Sequence, residues 1–413
     1  VEDDTKERTI YERRLADRRE AVTTLAVHAG ESVDITGALD VPIVMSSAFG
    51  FASAAEAAGA FSGENDAYIY GRWQNPTVEA LEAKIAALEG AEAACATASG
   101  MAAIMGAVGS SAGQGDHVVA PRSMYAEAAR LLRERLPRFG VETTFVESSV
   151  EAYAAAIGPR TKVLYVETPQ NPTLRLLDVR ALSELARSRG LLLVVDGTFA
   201  TPFCQSPLAL GADLVVHSMT KAMSGHGDVI AGAIAGRAEH VDRARDFVVK
   251  GIGGVLSPFS AWLVARGLRT FALRQEQACR TAYAVARALA SHPEVAHVHH
   301  PSLETHPDYA LATRQMHAYG SLLSFELRGD DAVARGARFL ESVRLATHAV
   351  SLGDTRTLVV HPASTTHSTM PAEARNLAHI TDGLVRMSVG LEARDAIASD
   401  VLTAIDRACG HIA

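Results

Sequence analysis

Residues that can do chemistry follow the apolar runs of this sequence at short intervals. Leu214–Val216 is followed by His217 and Ser218, with Lys221 three positions beyond. Leu192–Val195 is followed by Asp196, Val163–Val166 by Glu167, and Ala93–Ala98 by Ser99 and Gly100. If each run is a buried strand of a parallel sheet, these residues emerge at the carboxyl edge, where ligands of such sheets bind. A lysine amine, acids, hydroxyls and a glycine turn would meet there. Each alone says little, because most lysines are solvated surface charges and a strand-end acid is often a helix cap.

The combination suits pyridoxal phosphate. That cofactor needs an amine to hold it as a Schiff base and an acid to keep its pyridine nitrogen protonated. Its phosphate needs donors, which a glycine turn opening a helix supplies through backbone N–H groups. A serine hydrolase is the rival from another class. Ser218-Met219-Thr220-Lys221 fits S-x-x-K, and Gly109-Ser110-Ser111-Ala112-Gly113 fits G-x-S-x-G. Both patterns are short, no K-T-G or S-D-N partner exists, and Ser111 falls in a small-residue loop after a helix. His297, His299, His300 and His306 raise a metal site. The alternation at His297 and His299 fits a surface strand beside the Pro301 turn, so no metal is expected.

The elements that must position these residues are legible as a pattern. Short apolar runs at Ala93–Ala98, His117–Ala120, Val141–Val146, Val163–Val166, Leu191–Val195, Leu214–Val216 and Ile230–Ala235 alternate with helical stretches. Asp178–Arg189 is one such helix. Pro76–Gly90 is another, with Val78, Leu81, Ile85 and Leu88 at helical spacing, a proline to start it and a glycine to stop it. Buried strands alternating with helices predict an α/β domain with a mainly parallel sheet. Leu256–Leu273 predicts one long connecting helix. Beyond it, strands at Ser321–Leu327 and Thr357–Val360 and a helix from Asp400 predict a smaller C-terminal α/β domain. Residues 1–25 are charged and predict an arm that packs late or on a partner. The expected division is an N-terminal arm over 1–60, a cofactor-binding large domain over 61–265 and a C-terminal domain over 266–413.

Composition narrows the class. The chain has 413 residues, 48% of them hydrophobic, enough for a sizeable core. A formal net charge of −8 argues against nucleic acid as a partner, since phosphate binding needs clustered positive charge. The uncharged stretch Ala93–Ala112 approaches the length of a membrane span, but its small residues and Ser99-Gly100 turn predict buried βα structure, so no membrane is expected. The start Val1-Glu2-Asp3-Asp4 is unlike a signal peptide. Cys95, Cys204, Cys279 and Cys409 lack metal-ligand spacing and are expected to be reduced thiols of a cytoplasmic protein.

Val215–Lys221 followed by Ser224-Gly225-His226-Gly227-Asp228 resembles the Schiff-base segment of the Cys/Met-metabolism pyridoxal-phosphate family, the group of cystathionine γ-lyase, methionine γ-lyase and cystathionine γ-synthase. The resemblance runs over nearly the whole chain. It includes Ala26–Gly30 with Thr36-Gly37-Ala38, Tyr70-Gly71-Arg72 with Asn75-Pro76-Thr77, and Glu167-Thr168-Pro169 with Asn171-Pro172. It continues through Asp196 with Thr198–Pro202, Ser351-Leu352-Gly353, His361–Ser364 and Arg386–Gly390. It implies a fold-type I enzyme with pyridoxal 5'-phosphate and a small amino-acid substrate. Lys221 resembles the Schiff-base lysine and proton-moving base, and Asp196 the partner of the pyridine nitrogen. Ser218, Thr220, Gly100 and Met101 resemble phosphate donors, and Tyr125 the tyrosine stacked on the ring that also passes a proton to the leaving group. Arg386 resembles the clamp on the substrate carboxylate, with Asn171 and Ser351 as secondary contacts. Tyr70 and Arg72 resemble phosphate ligands donated by a neighbouring subunit, which implies a homotetramer of paired dimers with shared active sites.

The resemblance implies γ-elimination from cystathionine or a methionine-like amino acid, with γ-replacement on an activated homoserine ester as the alternative. The chain departs from the family pattern in three places. Gly197 follows Asp196 where Asn is usual, Glu127 stands where the best-known methionine γ-lyases carry Cys, and Arg356 stands where many members have Glu. Ser364-Thr365-Thr366-His367 is similar to the homoserine-ester sulfhydrylases, whereas Ser224–Val229 and Leu256–Phe259 are similar to the lyase and synthase branch.

Overall fold

The computed structural model describes residues 2–31, 37–329, 331–368, 373, 375 and 379–411. Val1 and Thr36, which belong to segments singled out above, lie outside the described residues. The first sheet has seven strands, β1 (Ala93–Thr97), β2 (His117–Pro121), β3 (Glu142–Val146), β4 (Thr161–Glu167), β5 (Leu192–Asp196), β6 (Leu214–Ser218) and β7 (Gly232–Gly236), in the order β1-β7-β6-β5-β4-β2-β3. Every predicted apolar run became one of them. The sheet is parallel except at β7, which runs antiparallel to both β1 and β6. Alternate strand residues face opposite layers. Val194 and Val216 pack with Ile104 and Ala107 on one side, while Leu193 and Val195 pack with Leu182 and Ala186 on the other.

The helices between strands start where side chains can hold free backbone amides. Asn75 caps the Pro76–Glu89 helix by accepting from Thr77 N at 3.0 Å, and Asp178 caps Val179–Ser188 by accepting from Ala181 N at 3.0 Å. Ser99 does the same for Gly100–Gly109, accepting from Ala102 N at 3.1 Å. The stretch Ala93–Ala112 is thus a strand and a ten-residue helix, and among the described residues no helix is long and apolar enough to cross a membrane.

A second sheet of five strands follows: β8 (Val295–His299), β9 (Leu322–Leu327), β10 (Thr347–His348), β11 (Leu358–Val360) and β12 (Leu384–Ser388), ordered β10-β11-β12-β9-β8. It is antiparallel apart from the short β10–β11 pair. The Arg394–Ala408 helix packs on it through Ile397, Val401 and Ile405.

Two expectations need correction. The predicted helix over Leu256–Leu273 is two helices, Pro258–Leu268 and Phe271–Ala290, broken at Arg269-Thr270. The apolar spacing continues across the break, so periodicity alone does not show it. The charged start, expected to pack late or on a partner, is docked on its own chain. Glu2–His28 is a helix with Tyr11, Leu15, Val22 and Ala26 buried and Arg19 paired to Glu276 at 2.9 Å. The apolar stripe is only one residue wide and was hidden by the charges that flank it. Lys84, fully buried, donates to the carbonyls of Ala26 and Val27 at 2.8 and 2.9 Å, satisfying acceptors left free at the end of that helix.

Candidate active site

Asp196, Ser218 and Glu167 are the last residues of the adjacent parallel strands β5, β6 and β4, so their side chains leave the sheet at one edge. Lys221 follows in the turn after β6. The amide of Gly225 donates back to the Lys221 carbonyl at 2.9 Å. The Gly100–Gly109 helix begins beside them, and Gly100 lies so close that a Cβ there would come within 2.7 Å of the Ser218 Cβ. The amides of Gly100 and Met101, the first two of that helix, have no intrahelical acceptor and open toward the same edge. Thr220 turns its hydroxyl to Ala231, donating to its carbonyl and accepting from its amide at 2.9 Å.

The second sheet closes the site from above. Lys221 Nζ donates to Ser351 Oγ at 3.1 Å. Arg386, on β12 and buried, donates from Nη2 to the Ser351 carbonyl at 2.8 Å and from Nη1 to Asn171 Oδ1 at 3.0 Å. Asn171 in turn donates its amide to Glu167 Oε1 at 2.9 Å, and Glu167 Oε2 accepts the Tyr125 amide at 2.8 Å. Asp196 accepts from the Tyr165 hydroxyl at 3.1 Å and from the Thr198 amide at 3.0 Å. Tyr125 is 43% exposed, which puts its ring at the mouth.

The electrostatics follow from burial. Desolvation, and then the positive charge of Arg386, lower the Lys221 amine below its ordinary value, toward the neutral form a base needs. Burial also lowers Arg386 to about 10, which leaves it charged at neutral pH. Burial, and then Asp196, push the Glu167 carboxyl up to about 8. The Tyr125 hydroxyl is raised by burial first and then by Glu127, Glu167 and Asp196, so it holds its proton.

The structure thus gathers Lys221, Asp196, Ser218, Thr220, Gly100, Met101, Tyr125, Asn171, Ser351 and Arg386 around one edge. It does not bring Tyr70 and Arg72 into hydrogen-bonding contact with that group. Arg72 donates to the carbonyl of Lys250, and Tyr70 is 42% exposed. His217, taken from sequence as an edge residue, points to the opposite face from Ser218 and forms a fully buried pair with Glu89 at 2.6 Å. This pair accounts for Gly197, because a Cβ there would meet His217 Cε1 at 2.8 Å. Arg356 pairs with Asp354 through two contacts of 3.1 Å. The S-x-x-K pair is not assembled, since the Lys221 amine goes to Ser351 rather than Ser218.

Sequence reasoning missed Arg274. Its guanidinium donates to the carbonyls of Ala222 at 2.9 Å, Met223 at 3.2 Å and Gly267 at 2.8 Å, anchoring the turn that carries Lys221. It also fills the space where a side chain at Gly225 would lie. The strand period of two was the signal that could have turned His217 away from the edge. No comparable pattern marks Arg274.

Comparison with known proteins agrees with this geometry. The chain is 45% identical to an L-methionine γ-lyase of Fusobacterium nucleatum, over 94% of this chain and 99% of that protein. It is 41% identical to an O-succinylhomoserine sulfhydrylase of Pseudomonas aeruginosa, over 92% and 94% of the two chains. The metY crystal structure from Campylobacter jejuni, in which a lysine carries a pyridoxyl phosphate, superposes with a TM-score of 0.88 at 30% identity, covering 93% of this chain and 99% of that one. The family model for Cys/Met metabolism PLP-dependent enzymes matches residues 23–406, and the chain belongs to that family and uses pyridoxal phosphate, in keeping with a lysine, an acid and a helix start at one sheet edge.

Proposed function

We propose that this enzyme is a carbon–sulfur lyase that performs γ-elimination on methionine, cystathionine or a related γ-thioether amino acid, releasing a 2-oxo acid, ammonia and a thiol. The observation that carries the reading is a half-buried, neutral-leaning amine facing a buried guanidinium: Lys221 and Arg386 both hydrogen-bond to Ser351. A zwitterionic amino acid would be held with its carboxylate on Arg386 and its α-carbon toward Lys221. The similarity to proteins named L-methionine γ-lyase supports the thioether class.

The residues fit pyridoxal phosphate. Asp196 would hold the pyridine nitrogen, Gly100, Met101, Ser218 and Thr220 the phosphate, and Tyr125 would cover the ring. Bound there, the cofactor supplies an electron sink for charge developing at the substrate α-carbon. The protein's own groups do the rest. Arg386 binds the α-carboxylate with a planar fork held in place by Asn171 and Ser351. Lys221 takes the α-proton, for which its lowered amine is suited. A β-proton then leaves, its C–H electron pair forms the Cβ–Cγ double bond as the Cγ–S bond breaks, and Tyr125, held protonated, donates its proton to the departing sulfur. Water then supplies the oxygen of the 2-oxo acid as ammonia leaves.

A γ-replacement on a homoserine ester is the second reading. Ser364–His367 lies near Arg386, whose charge adds to burial in lowering His367, and a relative is named O-succinylhomoserine sulfhydrylase. The two reactions share the early proton transfers and differ in the nucleophile that finishes them.

Tyr70 and Arg72 are assigned to a neighbouring subunit's phosphate site in a homotetramer. Their distance from hydrogen-bonding reach of Lys221, and the exposed apolar side chains Leu39, Met45 and Phe61 on the same stretch, support this. We place the enzyme in the cytoplasm on its free thiols, including Cys204 and Cys279, whose sulfurs lie 3.7 Å apart without a bond. Incubation with L-methionine, L-cystathionine and an O-acylhomoserine plus thiol, with products identified, tests the reaction. Release of a 2-oxo acid from a thioether without added nucleophile is expected. Turnover of the ester and thiol alone would replace elimination with replacement.

A further inference from the structure

We propose that Glu167 is a positioning residue whose two carboxyl oxygens set the placement of Tyr125 against that of the Asn171–Arg386 clamp. The inference rests on the roles given above to Tyr125 and Arg386.

Glu167 is a buried acid without a cation. It is 4% exposed, and no ion pair among the described residues includes it. Asp196, its register partner on β5, adds to burial in raising it, and Glu167 adds to burial in raising Tyr125, Tyr153 and Tyr165. All are acids or phenols. Acids are almost never so buried without a compensating charge; ionised, this carboxyl would be costly here, and burial holds it toward its protonated form.

Its contacts account for the cost. One oxygen accepts the amide of Tyr125 and the other the amide of Asn171, at 2.8 and 2.9 Å. Tyr125 stands at the start of the Ala126–Arg130 helix, and its own amide finds its acceptor in Glu167, 42 positions away in the chain. Asn171 carries the carbonyl oxygen that orients Arg386 at 3.0 Å. A carboxyl group is planar and rigid. Two segments that reach the substrate from different sides are therefore pinned to one small group at the end of β4. Glutamine has the same shape but only one acceptor oxygen, and its NH2 would face an N–H donor. Glu167→Gln must release either Tyr125 or Asn171.

The test is Glu167→Gln holoenzyme, assayed for kcat and KM and titrated with an unreactive α-amino acid that lacks a γ-leaving group. Loss of placement should lower kcat/KM by about tenfold or more. The dissociation constant for the analogue should rise if Asn171 is the segment released. In that case the effects of Glu167→Gln and Asn171→Ala on this constant should be less than multiplicative when combined. If the melting temperature falls while kcat, KM and the dissociation constant stay within about twofold, Glu167 is only a buried structural acid and the proposal is overturned. Arg386→Lys, run in parallel, separates the two levels. If it too leaves analogue binding unchanged, the clamp reading fails. If it weakens binding and Glu167→Gln changes nothing, only the positioning role fails. Should Glu167→Gln not fold, hydrogen exchange on the wild-type holoenzyme decides, because free exchange at the Tyr125 or Asn171 amide would overturn the proposal and protection at both is expected.

Discussion

Lys221 and Ser351 lie 130 positions apart and are joined by a hydrogen bond of 3.1 Å from the amine to the serine hydroxyl. The amine arrives on the turn after β6, and the serine on the loop before β11. Because Ser351 also accepts from Arg386 through its carbonyl, one residue holds both the Lys221 amine and the Arg386 guanidinium.

Replacing Lys221 with Ala should abolish turnover and the visible absorbance of the lysine-bound cofactor. In the wild type, borohydride reduction followed by peptide mapping should find the pyridoxyl tag on Lys221. A tag on any other lysine would refute the assignment.

Asp196 stands at the end of β5, its carboxylate held by Tyr165 and Thr198. Asp196→Ala should keep some cofactor but lose the charge that stabilises a protonated ring. The expected loss in kcat is about a hundredfold or more. Near-normal turnover would mean that another acid does this work.

Glu167 gives a pH signature to the cofactor-free protein. Its carboxyl is raised from an ordinary 4.5 to about 8, so the folded chain keeps a proton that the unfolded chain releases over this interval. The folded state binds more protons there, and stability from this group falls as pH rises. The contribution is fully present below about 4.5 and lost by about 8. Melting temperatures of wild type and Glu167→Gln measured across this range should show the wild type losing ground as pH rises. A constant difference, or one of the opposite sign, would contradict the raised carboxyl.

Arg72 donates to a carbonyl of its own chain and stands apart from the Lys221 group. If it serves a neighbour's phosphate, a hybrid of Arg72→Ala and Lys221→Ala chains contains one site with both defects and one with neither. Activity should reappear on subunit exchange. Exchange without recovery would place Arg72 in its own chain's service.

The edge residues were legible in the sequence because a buried parallel strand is a short apolar run, and the polar residues that end it lie at the ligand edge, with the strand period of two deciding which of them faces the site. Asp196, Glu167, Ser218 and, by way of the next turn, Lys221 all followed from that local rule. The helices of the first sheet were legible for a similar reason: Asn75-Pro76 and Asp178 carry their start signals in adjacent residues. What the local pattern does not contain is which distant groups meet. The break between Pro258–Leu268 and Phe271–Ala290 leaves the apolar spacing intact. Arg274 anchors the lysine turn from 53 positions away in the chain, and its three carbonyl partners carry no side-chain signal at all. Glu89 and His217 find each other 128 residues apart and take the space that a side chain at position 197 would need. Such pairings are decided by the packing of whole layers, because a buried charge or imidazole is tolerated only where another part of the chain presents its partner. The tie of Tyr125 and Asn171 to one carboxyl is of this kind, and only the folded chain could show it.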